Sequence, residues 1–337
     1  MTLRTPALVI GGIAATGALL LAGCASTPAA DDDTVRIALV RQLSQGDYYE
    51  QWLAGAQAQA DELGVELQIF NADGDNAQQS TDLDSAVAQG FDAIAIDHGN
   101  TETVQPGTQA AIDDGIPVVA FDVDTEVDGV VNIAQSDNEL ASLVLEQLVA
   151  DTAGEAEVIY AYVAGFAPLD RRNAVWEETL EENPGLEQVA QVGAVNDSTA
   201  ADTASQVSAA LQANPGTTAI FAPYDEFAKG AVLALQDLGL EDQVKVYGAD
   251  ISTADIEVIT AEGSPWVATA ATDPANVGAV TVRAAYLAAT GGDVDDSIEV
   301  PPFLFTRDAL VESGATTILD LTEAFPELST PDVAPVD

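Results

Sequence analysis

Residues 91–125 read FDAIAIDHGNTETVQPGTQAAIDDGIPVVAFDVDT. Two short runs in it, FDAIAID at 91–97 and PVVAF at 117–121, are apolar at nearly every position. Between them, residues 102–114 carry apolar side chains at helical spacing and end near a glycine. A strand with one wet face alternates apolar and polar residues, whereas a strand apolar throughout is covered on both faces. Such coverage arises in a parallel sheet whose crossovers are helices. The stretch therefore predicts a βαβ unit, and it ends in two carboxylates, Asp122 and Asp124, at a strand's carboxyl edge. In open α/β sheets that edge is where ligands sit.

The same alternation extends in both directions. Before it lie TVRIALV at 34–40, a helix over 48–63, VELQIF at 65–70 and a helix over 76–89. After VVNIA at 130–134 a second series begins, with a helix from Asn138, AEVIYAYV at 156–163, a helix near Asn173, VAQVGAV at 189–195, a helix from Ala200, TAIFA at 218–222, a helix from Glu226 and VKVYGAD at 244–250. Two such series predict an α/β chain of two similar lobes, each a parallel-sheet βα sandwich. The late segments WVATAAT at 266–272, a helix over 275–289 and a strand near Phe303 are too few for a third lobe and should return to complete the two sheets. The expected division is 34–136 plus 273–302 for the first lobe, 137–272 plus 303–326 for the second, and a loose tail over 327–337. Three connections, near 135–137, 272–274 and 301–303, would then form a hinge.

The chain's start predicts a compartment. Arg4 precedes an apolar run that closes on Leu21-Ala22-Gly23-Cys24, which has the charged, apolar and small-residue zones of a secretory signal. The box resembles that of bacterial lipoproteins, which implies a signal peptide over 1–23, lipid attachment at Cys24 and a tether over 24–33. Cys24 is the only cysteine, so no intrachain disulfide can form. The expected location is extracytoplasmic, lipid-anchored to the cell membrane. With 56 acidic against 9 basic residues and a net charge of −47, a nucleic-acid surface is excluded, because binding phosphates needs clustered Lys and Arg. The charge itself reads as a solvated surface on a monomer, so only individual carboxylates can inform on function.

At the carboxyl edges of the strands the sequence gathers Gln42, Tyr48 and Tyr49 after the first strand, His98 after the third, and Asp122 after the fourth. In the second lobe it places Asp170 and Arg171, then Tyr224, Asp250 and Thr272. Carboxylates accept from vicinal hydroxyls and aromatic rings cover the C–H faces of sugars, so these side chains compose a polyol pocket with no cofactor and no metal. Asp124 reads as a solvated turn residue, and Asp137 and Asp225 as helix N-caps.

Several motifs in this order, IALV with Tyr48 and Tyr49, PVVAFD, IAQSDN at 133–138, FAPYDEFAKGAVLAL at 221–235 and VYGAD at 246–250, resemble the type I periplasmic sugar-binding proteins of ABC importers, of the ribose-binding type. The resemblance implies a sugar or polyol bound between the lobes by hinge closure, with a membrane permease as partner. It implies stacking by Tyr48 and Tyr49, polar contacts from Gln42 and Thr272, and carboxylate contacts from Asp122 and Asp250. Tyr224 stands where the family has a ligand-binding Asn. Asp170 falls in the place of a family arginine, with Arg171 beside it and Arg172 bracing the helix start. Val123, Ala249 and Gly46 depart from the family's Arg, Phe and Asn. One guanidinium fewer beside three carboxylates points away from ribose and toward another polyol or a cationic amino sugar.

Two other functions are compatible with parts of the pattern. The lobes could sense a ligand, including a furanosyl autoinducer, for a membrane-bound signalling partner. FDVDT at 121–125 also has the Asp-x-Asp-x-Thr form of haloacid-dehalogenase-type phosphatases, with Asp122 as nucleophile and Asp124 as acid. That chemistry needs a lysine near the phosphate, and the motif here follows the fourth strand rather than the first. The sequence is therefore read as a binding protein, not an enzyme.

Overall fold

The computed structural model describes residues 34–336. The signal segment, Cys24 and the tether expected over 1–33 lie outside the described residues. Elements follow in the order β1 (Arg36–Arg41), α1 (Asp47–Leu63), β2 (Glu66–Asn71), α2 (Asn76–Gln89), β3 (Ala93–Asp97), α3 (Thr101–Asp113), β4 (Val118–Phe121), β5 (Val131–Ala134) and α4 (Asp137–Thr152). Next come β6 (Ala156–Ala161), α5 (Ala167–Glu182), β7 (Leu186–Val192), α6 (Thr199–Ala213), β8 (Thr217–Ala222), α7 (Asp225–Leu238), β9 (Lys245–Ala249), α8 (Thr253–Thr260) and β10 (Trp266–Ala271). The chain ends with α9 (Pro274–Thr290), β11 (Ser297–Glu299), β12 (Phe303–Thr306), α10 (Arg307–Ser313) and α11 (Ile318–Ala324).

The strands form two separate six-stranded sheets, in the orders β11-β5-β4-β3-β1-β2 and β12-β10-β9-β8-β6-β7. All pairings are parallel except β12, which runs antiparallel to β10 at its sheet's edge. Two lobes of the periplasmic-binding type result. The central strands explain the apolar runs: Ile94 and Ile96 of β3 face one buried cluster, and Ala93 and Ala95 face the other. Coverage on both faces leaves no position for alternation. The chain passes between sheets after β5, after β10 and between β11 and β12. Asp273 marks one of these passages as the N-cap of α9, accepting from the N–H groups of Ala275 and Asn276 before Pro274 starts the helix.

α1 and α9 cross so closely in the first lobe that only glycine fits at the contact. A Cβ on Gly55 would stand 1.9 Å from the Ala275 carbonyl oxygen, and one on Gly278 would stand 2.1 Å from that of Trp52. The contact holds α9, which follows a passage between the lobes, against the helix that carries Tyr48 and Tyr49.

The residues expected as a loose tail are tied down. Leu328 is buried, and Asn276 Nδ2 donates to its carbonyl at 3.3 Å. Arg283 of α9 donates to the carbonyls of Ala334 and Val333 at 3.1 and 3.0 Å. A guanidinium that needs acceptors recruits backbone carbonyls from this segment, which its own composition of Pro, Asp and Val does not reveal. β11 is three residues long and too short to register as a pattern.

Candidate ligand-binding site

The side chains that face the cleft stand where strands end and the backbone turns sharply. His98, Asp122 and Asp250 follow β3, β4 and β9, and each has a positive φ, 60°, 50° and 69°. Their backbone N–H groups still donate to the neighbouring strand, to Phe121, Ile133 and Ala270 respectively. Each residue thus makes one more ladder bond and then leaves the sheet in the left-handed region, which costs an L-residue about 1 kcal/mol or more. Asp tolerates this conformation better than most residues. Strain of the same kind at three cleft residues marks the edge as a built site.

Tyr48, Tyr49 and His98, with Leu43, supply the first-lobe wall of a cavity, and Phe166, Pro168, Leu169, Arg172, Val195, Tyr224 and Asp250 supply the second-lobe wall. The two walls lie close together, and the space between them measures about 30 Å³, room for a water or two. The aromatic side is fixed by edge contacts: Tyr48 to Tyr49 at 5.5 Å, Tyr49 to His98 at 5.3 Å and His98 to Phe121 at 5.1 Å between ring centroids. Behind these rings, Arg41 is buried and donates from Nε to Asp97 Oδ2 at 2.9 Å and from Nη2 to the Tyr49 carbonyl at 3.0 Å. Asp97 Oδ1 lies 2.7 Å from His98 Nδ1. Burial alone would lower the imidazole's pKa, but the Asp97 carboxylate outweighs it and holds the pKa above its ordinary value. The Tyr48 hydroxyl is buried without a hydrogen-bond partner. Burial, and then Asp250 and Asp122, push its pKa far up, so it stays a neutral O–H.

Arg172 is the electrostatic centre of the opposite wall. It is 2% exposed, and donates from Nε to Asp137 Oδ1 at 2.8 Å, from Nη1 to Asp250 Oδ2 at 2.9 Å and from Nη2 to Asp250 Oδ1 at 3.1 Å. The expectation that it merely braces a helix start is corrected: it lines the cavity and neutralises Asp250. Burial still raises the Asp250 carboxyl pKa, with Arg172 opposing the rise. Asp137, expected as a helix cap, makes no cap bond; its two oxygens take the Nε groups of Arg171 and Arg172. Asp225 does satisfy a free N–H of α7, accepting from Glu226 on Oδ1 at 2.8 Å, while its Oδ2 lies 3.7 Å from Lys229.

The other expected site residues are distributed as follows. Asp122 is buried beside the cavity, accepting from Arg171 Nη2 at 3.0 Å and from Gln135 Nε2 at 3.3 Å. Its burial, together with the nearby Asp137 charge, pushes its pKa up to about 7 against the opposing pull of His98 and Arg171. Thr272 donates to Gln135 Oε1 at 2.7 Å, so a chain from Thr272 through Gln135 to Asp122 links two of the passages between lobes. Arg171 does not line the cavity. It spans the cleft, with Asp122 and Asp124 on one side and Asp137 at 2.8 Å on the other. Asp170 is turned away: it accepts from the Tyr162 hydroxyl at 2.6 Å and from the Gly165 N–H at 3.1 Å, clamping the turn before α5. Gln42 donates to Asn76 at 3.3 Å and lines an adjoining depression at the cleft mouth. Asp124 is solvated, as expected, with its side chain 67% exposed.

A second ionic bridge crosses the cleft at Lys229 of α7, which reaches Asp47 of α1 at 3.1 Å as well as Glu226 at 2.6 Å. The sequence reading missed Leu43, Phe166, Pro168, Leu169, Arg172 and Val195. Of these only Arg172 carried a signal: it lies four residues after Pro168, on the same face of α5. Its position also changes the expected ligand chemistry. Asp122 and Asp250 each have a guanidinium partner, so the carboxylates do not await a cationic sugar.

Residues 37–293 match the model of the periplasmic binding protein domain, and the chain belongs to that family. Its members here are sugar or polyol solute-binding proteins of ABC transporters. The ribose import binding protein RbsB of Salmonella typhimurium is 30% identical over 270 residues, 80% of this chain and 88% of its own. The 5-methylthioribose transporter solute-binding protein of Thermotoga lettingae, solved with 5-methylthioribose, superposes with a TM-score of 0.85 at 44% identity, covering 87% of this chain and 93% of that one. A sugar ABC transporter protein of Yersinia enterocolitica also superposes with a TM-score of 0.85, at 29% identity, over 89% and 92% of the two chains.

Proposed function

We propose that the protein is the extracytoplasmic substrate-binding component of an ABC importer, non-enzymatic, and that it holds a sugar of pentose size between its lobes. The observation that carries this reading is the cavity shared by both lobes, where the unpartnered Tyr48 hydroxyl and the Tyr49 and His98 rings of one lobe face Asp250 and Arg172 of the other. Neutral hydroxyls suit it: Asp250 retains acceptor capacity beyond its two bonds to Arg172, and Tyr48 supplies a donor. Family members that bind ribose and 5-methylthioribose support the pentose class, and the 44% identity of the latter puts 5-methylthioribose first among the candidates.

Function as a phosphatase is disfavoured on electrostatics. Asp122 has one oxygen committed to Arg171 and the other to Gln135, and Lys229 is occupied by Asp47 and Glu226. A nucleophile would need a free oxygen and a lysine free to bind the phosphate.

Closure is the working step. Ligand bound to one wall adds contacts to the other only when the lobes meet, so binding shifts the population toward the closed form. The bridges at Arg171 and Lys229 add to that form, and a permease reads its shape. In this reading, acyl chains on Cys24 keep the protein at the membrane. The test is thermal melting against ribose, 5-methylthioribose, xylitol and glucosamine: the reading expects a saturable rise with at least one neutral sugar, and a rise with none would overturn it.

A further inference from the structure

We infer that the C-terminal segment is a strap from one lobe to the other that restrains opening of the cleft, whatever ligand the cleft holds. Three passages of the chain allow a hinge rotation. A fourth follows α11, where residues 326–336 run from the second lobe onto the first. The root of the strap belongs to the second lobe: Phe325 packs on Phe303 and Phe305 at ring-centroid distances of 5.5 and 5.2 Å, and the Leu328 side chain is buried in the same core. Its far end belongs to the first lobe, where Val333 and Ala334 pack against the core that holds Val280 and Ala284 of α9.

Hydrogen bonds pin the strap along its length. Thr322 Oγ1 of α11 donates to Asp273 Oδ2 at 3.0 Å, beside the passage after β10. Asn276 Nδ2 of α9 donates to the Leu328 carbonyl at 3.3 Å and to Thr330 Oγ1 at 2.6 Å. About two turns further along α9, Arg283 donates to the carbonyls of Ala334 and Val333, while its Nη1 donates to Gln59 of α1 at 2.9 Å. Leu328 is held by both lobes: its side chain, 2% exposed, sits in the second-lobe core, and its carbonyl is bonded to a first-lobe helix. A rotation that parts the lobes must pull Leu328 out of that core, break its bond to Asn276 or bend the strap. Pro326 and Pro331 fix φ near their positions on either side of Leu328, so the strap has few torsions with which to absorb the movement. These bonds are made with the two cleft walls close together, so losing them favours the open form.

The strap is tested by small-angle X-ray scattering of the protein without added ligand, in about 1 M sodium chloride, which screens the ionic bridges across the cleft. The expected result is a larger radius of gyration for the double variant Asn276→Ala with Arg283→Met than for the parent. Arg307→Ala is the control: its guanidinium also donates to a backbone carbonyl, that of Ala261 at 2.8 Å, but both residues lie in the second lobe, so its profile should match the parent's. A double variant with the parent's radius, or a shift of the same size in Arg307→Ala, would overturn the strap. A second measurement needs no variant to fold. In the parent, the amides of Leu328, Ser329 and Val333, which donate to the carbonyls of Phe325, Pro326 and Thr330, should exchange hydrogen about 100-fold or more slowly than in unstructured peptide. Exchange at the unstructured rate would overturn the strap as well.

Discussion

Arg172 and Asp250 face one another as a two-pronged pair, Nη1 to Oδ2 at 2.9 Å and Nη2 to Oδ1 at 3.1 Å, inside the wall of the cavity. The same guanidinium also holds Asp137 and the Pro223 carbonyl at 2.8 Å. One side chain of α5 thereby fixes the ends of β8 and β9 and the start of α4. Removing one partner of such a buried pair leaves an uncompensated charge, so Arg172→Ala should lower stability by about 3–5 kcal/mol and abolish ligand binding. Arg172→Lys should recover part of the stability but not the binding, because a point charge cannot make the fork. Urea denaturation midpoints and titration calorimetry on both variants check this.

Arg171 touches no part of the cavity, yet it bridges the cleft. Arg171→Ala should weaken ligand affinity several-fold by removing the contacts to Asp122 and Asp124 across the cleft, and should also lower the melting temperature of the unliganded protein, because buried Asp137 loses one partner within its own lobe. Asp124→Ala should change affinity by less than about threefold, since an exposed ion pair contributes only about 0–1 kcal/mol. Asp122→Ala should cost far more, because its removal also frees Gln135. Affinities measured side by side at low and high salt separate the exposed contact from the buried one.

His98 provides the pH dependence. Its folded pKa lies above the ordinary imidazole value because the Asp97 carboxylate outweighs burial. The stability gained from that pair is therefore fully present below about pH 6.5, the unfolded value, and is lost as pH rises through the higher folded value. The melting-temperature advantage of the parent protein over His98→Gln should be largest near pH 6 and shrink steadily toward pH 9. A gap that widened with pH would contradict the assignment.

Gly278 tests the packing that carries Tyr48 and Tyr49. A methyl group there meets the Trp52 carbonyl oxygen at 2.1 Å, so α1 and α9 must separate. Gly278→Ala should destabilise by about 1–3 kcal/mol despite alanine's better helix propensity, and should weaken ligand binding as well. Gly64→Ala is the control: its Cβ meets nothing, so any loss there comes only from the left-handed backbone at φ 68°.

Much of the fold was legible because its sheets are covered on both faces. Runs such as AIAID in β3 are buried throughout, and the helices between them keep their periodicity, so the two series and the returning late segments could be read directly. The strand-end rule then led to His98, Asp122 and Asp250, which share a positive φ at those edges. What the rule could not supply was direction. Asp170 and Arg172 lie two positions apart on α5, and only burial decides that Arg172 faces the cavity while Asp170 closes a turn with Tyr162. The apolar part of the lining was invisible for another reason: Leu43, Phe166 and Val195 sit in loops, where single hydrophobic residues carry no periodic signal. Polar residues were sought because the expected ligand was a polyol, and these three are not polar.

The account stands on ligand being held between the two lobes by the Asp250 wall and the Tyr48 wall together. The most direct measurement is calorimetric titration of a panel containing ribose and 5-methylthioribose into the parent protein, Asp250→Asn and Tyr48→Phe. The account predicts one site per chain in the parent, and affinity lower by about tenfold or more in each variant, since each loses a buried hydrogen bond to ligand. Parent-like affinity in both variants would place the ligand elsewhere and contradict it.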